Sequence, residues 1–269
     1  MKSILLDNTI EIGLDSTYSY QLASVQGLSS SDIRTGSGLY AGRDLGFVSG
    51  QFLGYRTIIL KGFYIGATCT AGKTLRNGIV GTLQIRHPYS ICIKMDTDEY
   101  NWITQGYLTD IKSDWVSDKH GDFQITFICP DPILYRGTST SSVLIANTWN
   151  SQSVSGLNST SPQTKTITNV GNIATYPKAS WSSGTIENPT ITNTTTGKAW
   201  SCATVPSGST VVDFQSRKIT VSGSVYTWYR NTNAIWWALE PGNNVIEFET
   251  TATSNRSLTF SYRHGKTGV

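Results

Sequence analysis

The run YRTIILKGFYI, Tyr55 to Ile65, is dominated by β-branched, aromatic and large aliphatic residues, the composition of a strand pressed against a core. What precedes it, TGSGLYAGRDLGFVSG from Thr35 to Gly50, is too rich in glycine to hold a stable element, so it reads as a loop feeding that strand. Downstream, AGKTLRNGIVGTLQI sets Leu75, Ile79 and Leu83 four residues apart with Val80 beside them, which predicts one apolar helical face. Gly78 and Gly81 weaken that helix, so it needs tertiary packing to persist.

The rest of the first half is strand-like. MKSILLDNTIEIGLD reads as a first strand. YSICIKMDTDEYNWITQGYLTDI reads as a strand, an acidic turn at Asp96 to Glu99 and a returning strand. A calcium loop at DTDEYN is the sharper reading of that turn, but the turn glycine and the distal bidentate glutamate such loops need are missing. DFQITFICPDPILYR closes the half, because Pro130 and Pro132 cannot donate to a sheet ladder.

From Gly137 to about Gln163 the chain is rich in Ser, Thr and Asn without sustained periodicity, which marks a connection, with VLIANTW as one candidate short strand inside it. Beyond it TKTITNVG, YPKASW, TITNTTTGKAW, STVVDFQSRKITV, SVYTWYR, NNVIEFETT and RSLTFSYR follow one another between Gly, Pro and Asn turns. This spacing is that of an all-β sandwich. In STVVDFQSRKITV, Val212 and Phe214 share one face, Ser216 and Arg217 make the turn, and Ile219 and Val221 return. In NNVIEFE, Ile246 and Phe248 alternate with Val245, Glu247 and Glu249, so one face can be buried. The expected architecture is therefore all-β with one short helix in two domains: 1–137, a connection at 138–163, and 164–269. The sequence leaves open whether the last residues, from about Ser257, complete the second sandwich or return to the first.

Composition narrows the function classes. Of 269 residues only 14% are charged, the net charge is +3 and no dense basic block stands out, so specific nucleic-acid binding has little support. No stretch approaches the roughly 20 apolar residues that span a bilayer, and the N-terminus lacks a signal-peptide pattern, so the expectation is a soluble chain made in the cytosol, with no membrane partner. Cys69, Cys92, Cys129 and Cys202 are widely spaced and read as buried free thiols. The sequons at Asn158, Asn193 and Asn255 read as chance matches.

No GxSxG, HExxH, Walker A or CxxC pattern is present, so no catalytic, cofactor or metal residue is assigned. His87, His120 and His264 read as surface or interface residues. Asp114, Asp118 and Asp122 flank His120, but WVSDKHGDF has the makeup of a polar turn between strands. GSGLYAG, Gly36 to Gly42, has one residue too many for a dinucleotide fingerprint. The strongest rival to a scaffold is a carbohydrate-binding module contacting host surface glycans, since Trp181, Trp200, Trp228, Trp236 and Trp237 crowd the second half. In AIWWALEPG strand alternation puts Ile235, Trp237 and Leu239 on one face and Trp236 and Ala238 on the other. Trp237 is then the core residue, and Trp236 the candidate surface contact.

Two groups of residues carry a family likeness. The glycine-rich loop, YRTIILKGFYIG, the apolar helix and FQITFICPDPILY, with its ending at Asp131, Pro132 and Tyr135, resemble the N-terminal domain of siphophage distal tail proteins. ITNVGNIATYPKASWSSGTIENPTITNTTTG, VPSGSTVVDFQSRKITV and ALEPGNNVIEFET resemble that family's C-terminal domain. The matching stretches cover most of the chain in the right order. One departure is that TLRNGIVGTLQIRH has two glycines where the family's helix is richer in helix formers. The resemblance implies a tail-tube-like N-terminal sandwich or barrel that closes a hexameric ring and a galectin-like C-terminal sandwich. It also implies a structural, non-enzymatic role at the virion's tail tip, assembled in the host cytoplasm. The implied partners are copies of itself, the tail tube protein, and tail-tip, tail-fibre and receptor-binding proteins.

Overall fold

The structure, a computed structural model, describes residues 1–29, 31–39, 46–95, 100–138, 152–157, 163–181, 185–226, 234–251 and 258–268. The chain divides into two compact units, Met1–Thr148 with Lys266–Val269, and Trp149–Gly265.

Unit 1 opens with β1 (Ser3–Leu6), β2 (Ile10–Gly13), β3 (Tyr20–Gln26), β4 (Ile33–Leu39), β5 (Gly46–Leu53) and β6 (Arg56–Ile65). It continues with α1 (Cys69–Thr82), β7 (Pro88–Lys94), β8 (Tyr100–Trp115), β9 (His120–Cys129) and β10 (Leu134–Thr138). The strands run in the order β8, β7, β1, β2, β3, β6, β9, and β9 pairs back onto β8, which closes a barrel. Closure is possible because β8 is 16 residues long. Its first half pairs with β7 and β10, its second with β9. Inward residues alternate along each strand: Arg56, Ile58, Leu60 and Tyr64 on β6 face Phe123, Ile125, Phe127 and Cys129 on β9, all buried.

The N-terminal run is a hairpin rather than one strand. Asp7 and Asn8 both take positive φ, 45° and 57°, a conformation these two residue types tolerate, in a tight turn closed by the Thr9 amide donating to the Leu6 carbonyl at 2.9 Å. β9 stops at Cys129, before Pro130, as expected. The glycine-rich loop is also corrected: Ile33–Leu39 and Gly46–Leu53 pair antiparallel as a separate two-stranded arm. Mutual pairing satisfies backbone groups that glycine alone could not order.

α1 forms because Thr68 caps it, accepting from the Ala71 amide at 3.2 Å, and because Ile79 and Leu83 join the barrel core. Val80 is 38% exposed, so the apolar face is narrower than the four-residue recurrence suggests. Gly78 leaves room for the Tyr20 hydroxyl, which donates to the Leu75 carbonyl at 2.9 Å.

Unit 2 contains β11 (Gln152–Leu157), β12 (Gln163–Asn169), β13 (Lys178–Trp181), β14 (Thr190–Asn193) and β15 (Lys198–Ser201). β16 (Thr210–Asp213), β17 (Lys218–Val221), β18 (Ser224–Val225), β19 (Gly242–Glu249) and β20 (Leu258–Tyr262) follow. One sheet runs β11-β20-β13-β16-β17-β18 and the other β12-β19-β14-β15. Trp181, Val212, Phe214, Ile219 and Phe260 from the first meet Ile167, Ile191, Trp200, Ile246 and Phe248 from the second in one core, which makes a β-sandwich. The hairpin at Thr210–Val221 forms with Arg217 at φ 55°, and the Asp213 carboxylate accepts the Gln215 and Ser216 amides across the turn. Residues 152–157, expected within a connection, form β11 on β20. The acidic turn 96–99 and the candidate strand 143–149 lie outside the described residues. A last strand, β21 (Gly265–Lys266), pairs with β10.

Candidate functional site

Among the described residues, exposed apolar side chains gather in sequence at the root of the β4–β5 arm. Phe52 is 71% exposed and Ile33 60%, and Tyr55 is exposed, with the Arg34 guanidinium 5.6 Å from its ring centre. The Gly54 amide donates to the Asp32 carbonyl at 2.6 Å and ties the two legs of the arm together.

Beneath the root lies Arg56, 1% exposed. Its Nε donates to the Pro132 carbonyl at 2.8 Å, its Nη1 to the carbonyls of Gly27 at 2.6 Å and Leu28 at 3.1 Å, and its Nη2 to that of Thr267. Burial lowers the guanidinium pKa, opposed by the neighbouring Cys129 and Asp131. Sequence reading passed over both Phe52 and Arg56. The available signals were an aromatic at the end of a glycine-rich stretch, and an arginine in the same two-residue phase as Ile58 and Leu60.

The chemically suggestive residues are held locally. His87 meets Asp7 at 2.8 Å and His120 meets Asp122 at 3.5 Å. His264 is buried rather than at the surface, its Nδ1 accepting the Val170 amide at 3.2 Å. The turn 116–119 joins β8 to β9 and sets Asp114 opposite Asp122. Among the described residues no three His, Cys, Asp or Glu side chains gather as a metal set. Cys129 and Cys202 are buried, which pushes their thiols up to about 11 and about 12, whereas Cys69 is exposed, contrary to the expectation of burial. Asn193 of the second sequon is buried and donates its amide to Asn244 at 3.1 Å; Asn158 and Asn255 lie outside the described residues.

In unit 2, Trp181, Trp200 and Trp237 are core residues, and Trp228 lies outside the described residues. Trp236 is half-buried, 5.9 Å from the Trp200 ring and 5.7 Å from Phe214. Ile235, expected on the Trp237 face, is 50% exposed. The segment from Ala234 to Ala238 is not a strand, so two-residue alternation does not govern it.

Residues 170–264 match the family model of the siphovirus-type tail component, C-terminal domain. The matched residues lie within unit 2. Over the whole chain the structure is similar to the crystal structure of the Dit protein of phage SPP1, described as a hub of the adsorption apparatus of phages that infect Gram-positive hosts. The TM-score is 0.70 at 17% identity, covering 98% of each chain. Chains of the phage P2 baseplate in its activated conformation, with Ca and with Sr, give TM-scores of 0.52 and 0.51 at 8% identity over 100% of both chains. No curated protein sequence matches. The likeness to siphophage distal tail proteins is thus borne out by the domain match and by the fold of the full length. The carbohydrate-binding alternative is not favoured.

Proposed function

We propose that the chain is a distal tail protein, a structural, non-enzymatic hub subunit that forms a hexameric ring at the tip of a siphophage tail. In this reading residues 1–137 carry the ring, residues 164–269 form a galectin-like outer domain, and the ring joins the tail tube to the tip and receptor-binding proteins. The virion's tail tip is its place of action, after assembly in the host cytoplasm. The observation that carries the reading is the coincidence of a tail-component domain at 170–264 with full-length similarity to a phage adsorption hub. The arm supports it from the other side. A lone two-stranded ribbon is marginal in water, and one with Phe52 and Ile33 at its root gains by being covered.

The test is the mass of the purified full-length chain by light scattering, with negative-stain images. Six-fold rings are expected, and Phe52→Ser with Ile33→Ser should shift the population to monomer while circular dichroism stays unchanged. A chain that stays monomeric at every concentration and binds polysaccharide instead would overturn the proposal.

A further inference from the structure

The chain crosses one small region of unit 1 four times. It leaves β3 at Gly27 and Leu28 on its way into the arm, and returns from the arm at Arg56, the first residue of β6. It passes Pro132 just before β10, the strand that leads toward unit 2, and comes back at Lys266–Gly268 after unit 2 is complete. One guanidinium binds a carbonyl from each of the other three crossings: Gly27 and Leu28, Pro132, and Thr267. These four acceptors are all backbone carbonyls, so the bonds hold chain direction rather than a side-chain rotamer.

The returning segment is fitted as closely as it is bonded. β21 pairs with β10, so the strand leading out to unit 2 and the strand leading back lie side by side in one sheet. The Lys266 ammonium sits 4.4 Å from the ring centre of Trp102, which β8 presents. Gly268 packs so closely on the Ser29 carbonyl that a Cβ there would overlap it. Ser29 belongs to the same leg of the arm as Gly27 and Leu28.

We infer that Arg56 is a latch that makes the returning segment Lys266–Gly268 and the root of the β4–β5 arm one cooperative element. The pull of either is felt by the other. Displacing the returning segment removes the acceptor at Thr267 and the packing on Ser29 together, leaving a buried cation short of a partner and the first leg of the arm uncovered. Moving the arm's first leg withdraws the carbonyls of Gly27 and Leu28, which loosens the same guanidinium from Thr267. The inference concerns unit 1 alone and stands whether or not the chain forms a ring.

Peptide-resolved hydrogen exchange on the full-length protein tests it with two variants. Gly268→Val attacks the latch from the returning segment, and Arg56→Met attacks it from the centre while keeping an apolar stem. For both, exchange should rise by about tenfold or more at 266–268 and, together with it, at 27–29 and at the Gly54 amide, as expected for a local opening that loses charge-assisted hydrogen bonds. The β6–β9 ladder should stay within about twofold of the parent, as for a separate opening unit. If Gly268→Val accelerates 266–268 and leaves 27–29 and Gly54 as they were, the two are independent and the inference is wrong. Exchange rising equally through β6 and β9 would also overturn it, because Arg56 would then serve barrel stability only. Should Arg56→Met not fold, Gly268→Val alone decides.

Discussion

The barrel of unit 1 is lined mainly by aliphatic side chains such as Ile4, Leu6, Ile12, Ile58, Leu60, Ile91 and Ile125, on strands that close into a ring. The sandwich of unit 2 is filled by large rings, Trp181, Trp200, Trp237, Phe214, Phe248 and Phe260, between two open sheets. The difference places the weak points differently. Burial in the barrel is divided among many residues of moderate size, and its order depends on pairings distant in sequence, such as β1 with β7 and β3 with β6. Burial in the sandwich is concentrated in a few rings, with Trp200 on the β14–β15 hairpin and Phe214 at the turn that follows β16. Single side chains should therefore matter most in unit 2, and backbone crossings, above all those at Arg56, most in unit 1.

The largest effect that would break this contrast is expected at Trp237. Its ring lies 4.7 Å from Phe214 and stacks on Phe260 at 6.2 Å, and its indole N–H donates to the Ile191 carbonyl at 3.3 Å. Trp237→Ala in the full chain should cost unit 2 about 3–5 kcal/mol. The neighbouring Trp236→Ala should cost about 1–2 kcal/mol, since a half-buried ring on Trp200 and Phe214 gives up part of that packing. Denaturant unfolding followed by exchange within 164–262 measures both. Equal losses at the two positions would mean that the rings act as one slab. A negligible loss at Trp236 would restore it as a surface contact.

Unit 2 is legible in the sequence where consecutive strands pair, as β14 with β15 and β16 with β17. The hairpin Thr210–Val221 follows from Val212 and Ile219 in phase and a polar turn between them. Unit 1 resists for reasons of distance. Nothing local to β8 says that its second half will close a barrel on β9 while its first half serves β7 and β10. Nor does glycine content disclose the arm, whose order comes from pairing across 40–45 rather than from propensity. As for the candidate site, the aromatic core was expected, whereas Arg56 was not. Its role depends on carbonyls 28 to 211 residues away.

A pair of substitutions on α1 sharpens the contrast with a smaller effect of opposite sign. Gly81 has nothing within 4 Å of where a Cβ would stand, so Gly81→Ala should stabilise unit 1 by about 0.5–1 kcal/mol through helix propensity alone. At Gly78 a Cβ would stand 2.5 Å from the Tyr20 hydroxyl, displacing the bond from Tyr20 to Leu75. Gly78→Ala should give back that gain and lose about 1 kcal/mol. Thermal unfolding of the two variants reads the difference. If both stabilise, the helix is held by Ile79 and Leu83 without the Tyr20 bond.

The smallest expected effect is electrostatic, and it puts one ion pair from each unit on the same scale. Burial would raise the Glu11 carboxyl, but the bonds from Lys94 at 2.7 Å and Ser3 at 2.6 Å outweigh it and hold Glu11 below its ordinary 4.5. Burial would likewise raise Asp213. The Ser216 amide, Lys178 at 3.0 Å and the Gln215 amide hold it below its ordinary 3.8. A carboxyl whose folded pKa is depressed stabilises the fold fully above its unfolded pKa, and that contribution disappears as pH falls through the folded one. Unit 1 should therefore begin to lose the Glu11 contribution below about pH 4.5, and unit 2 the Asp213 contribution below about pH 3.8, the ordinary values of the two groups. Each loss should be under about 1 kcal/mol, as for partly exposed pairs. Lys94→Met and Lys178→Met separate the causes. Glu11 keeps only Ser3 as a bonded partner without Lys94, so its acid dependence should largely vanish. Asp213 keeps two amides without Lys178, so most of its dependence should survive. The reverse order would mean that the backbone turn contributes less than the lysine, and that the β16–β17 hairpin is held by charge rather than by its turn.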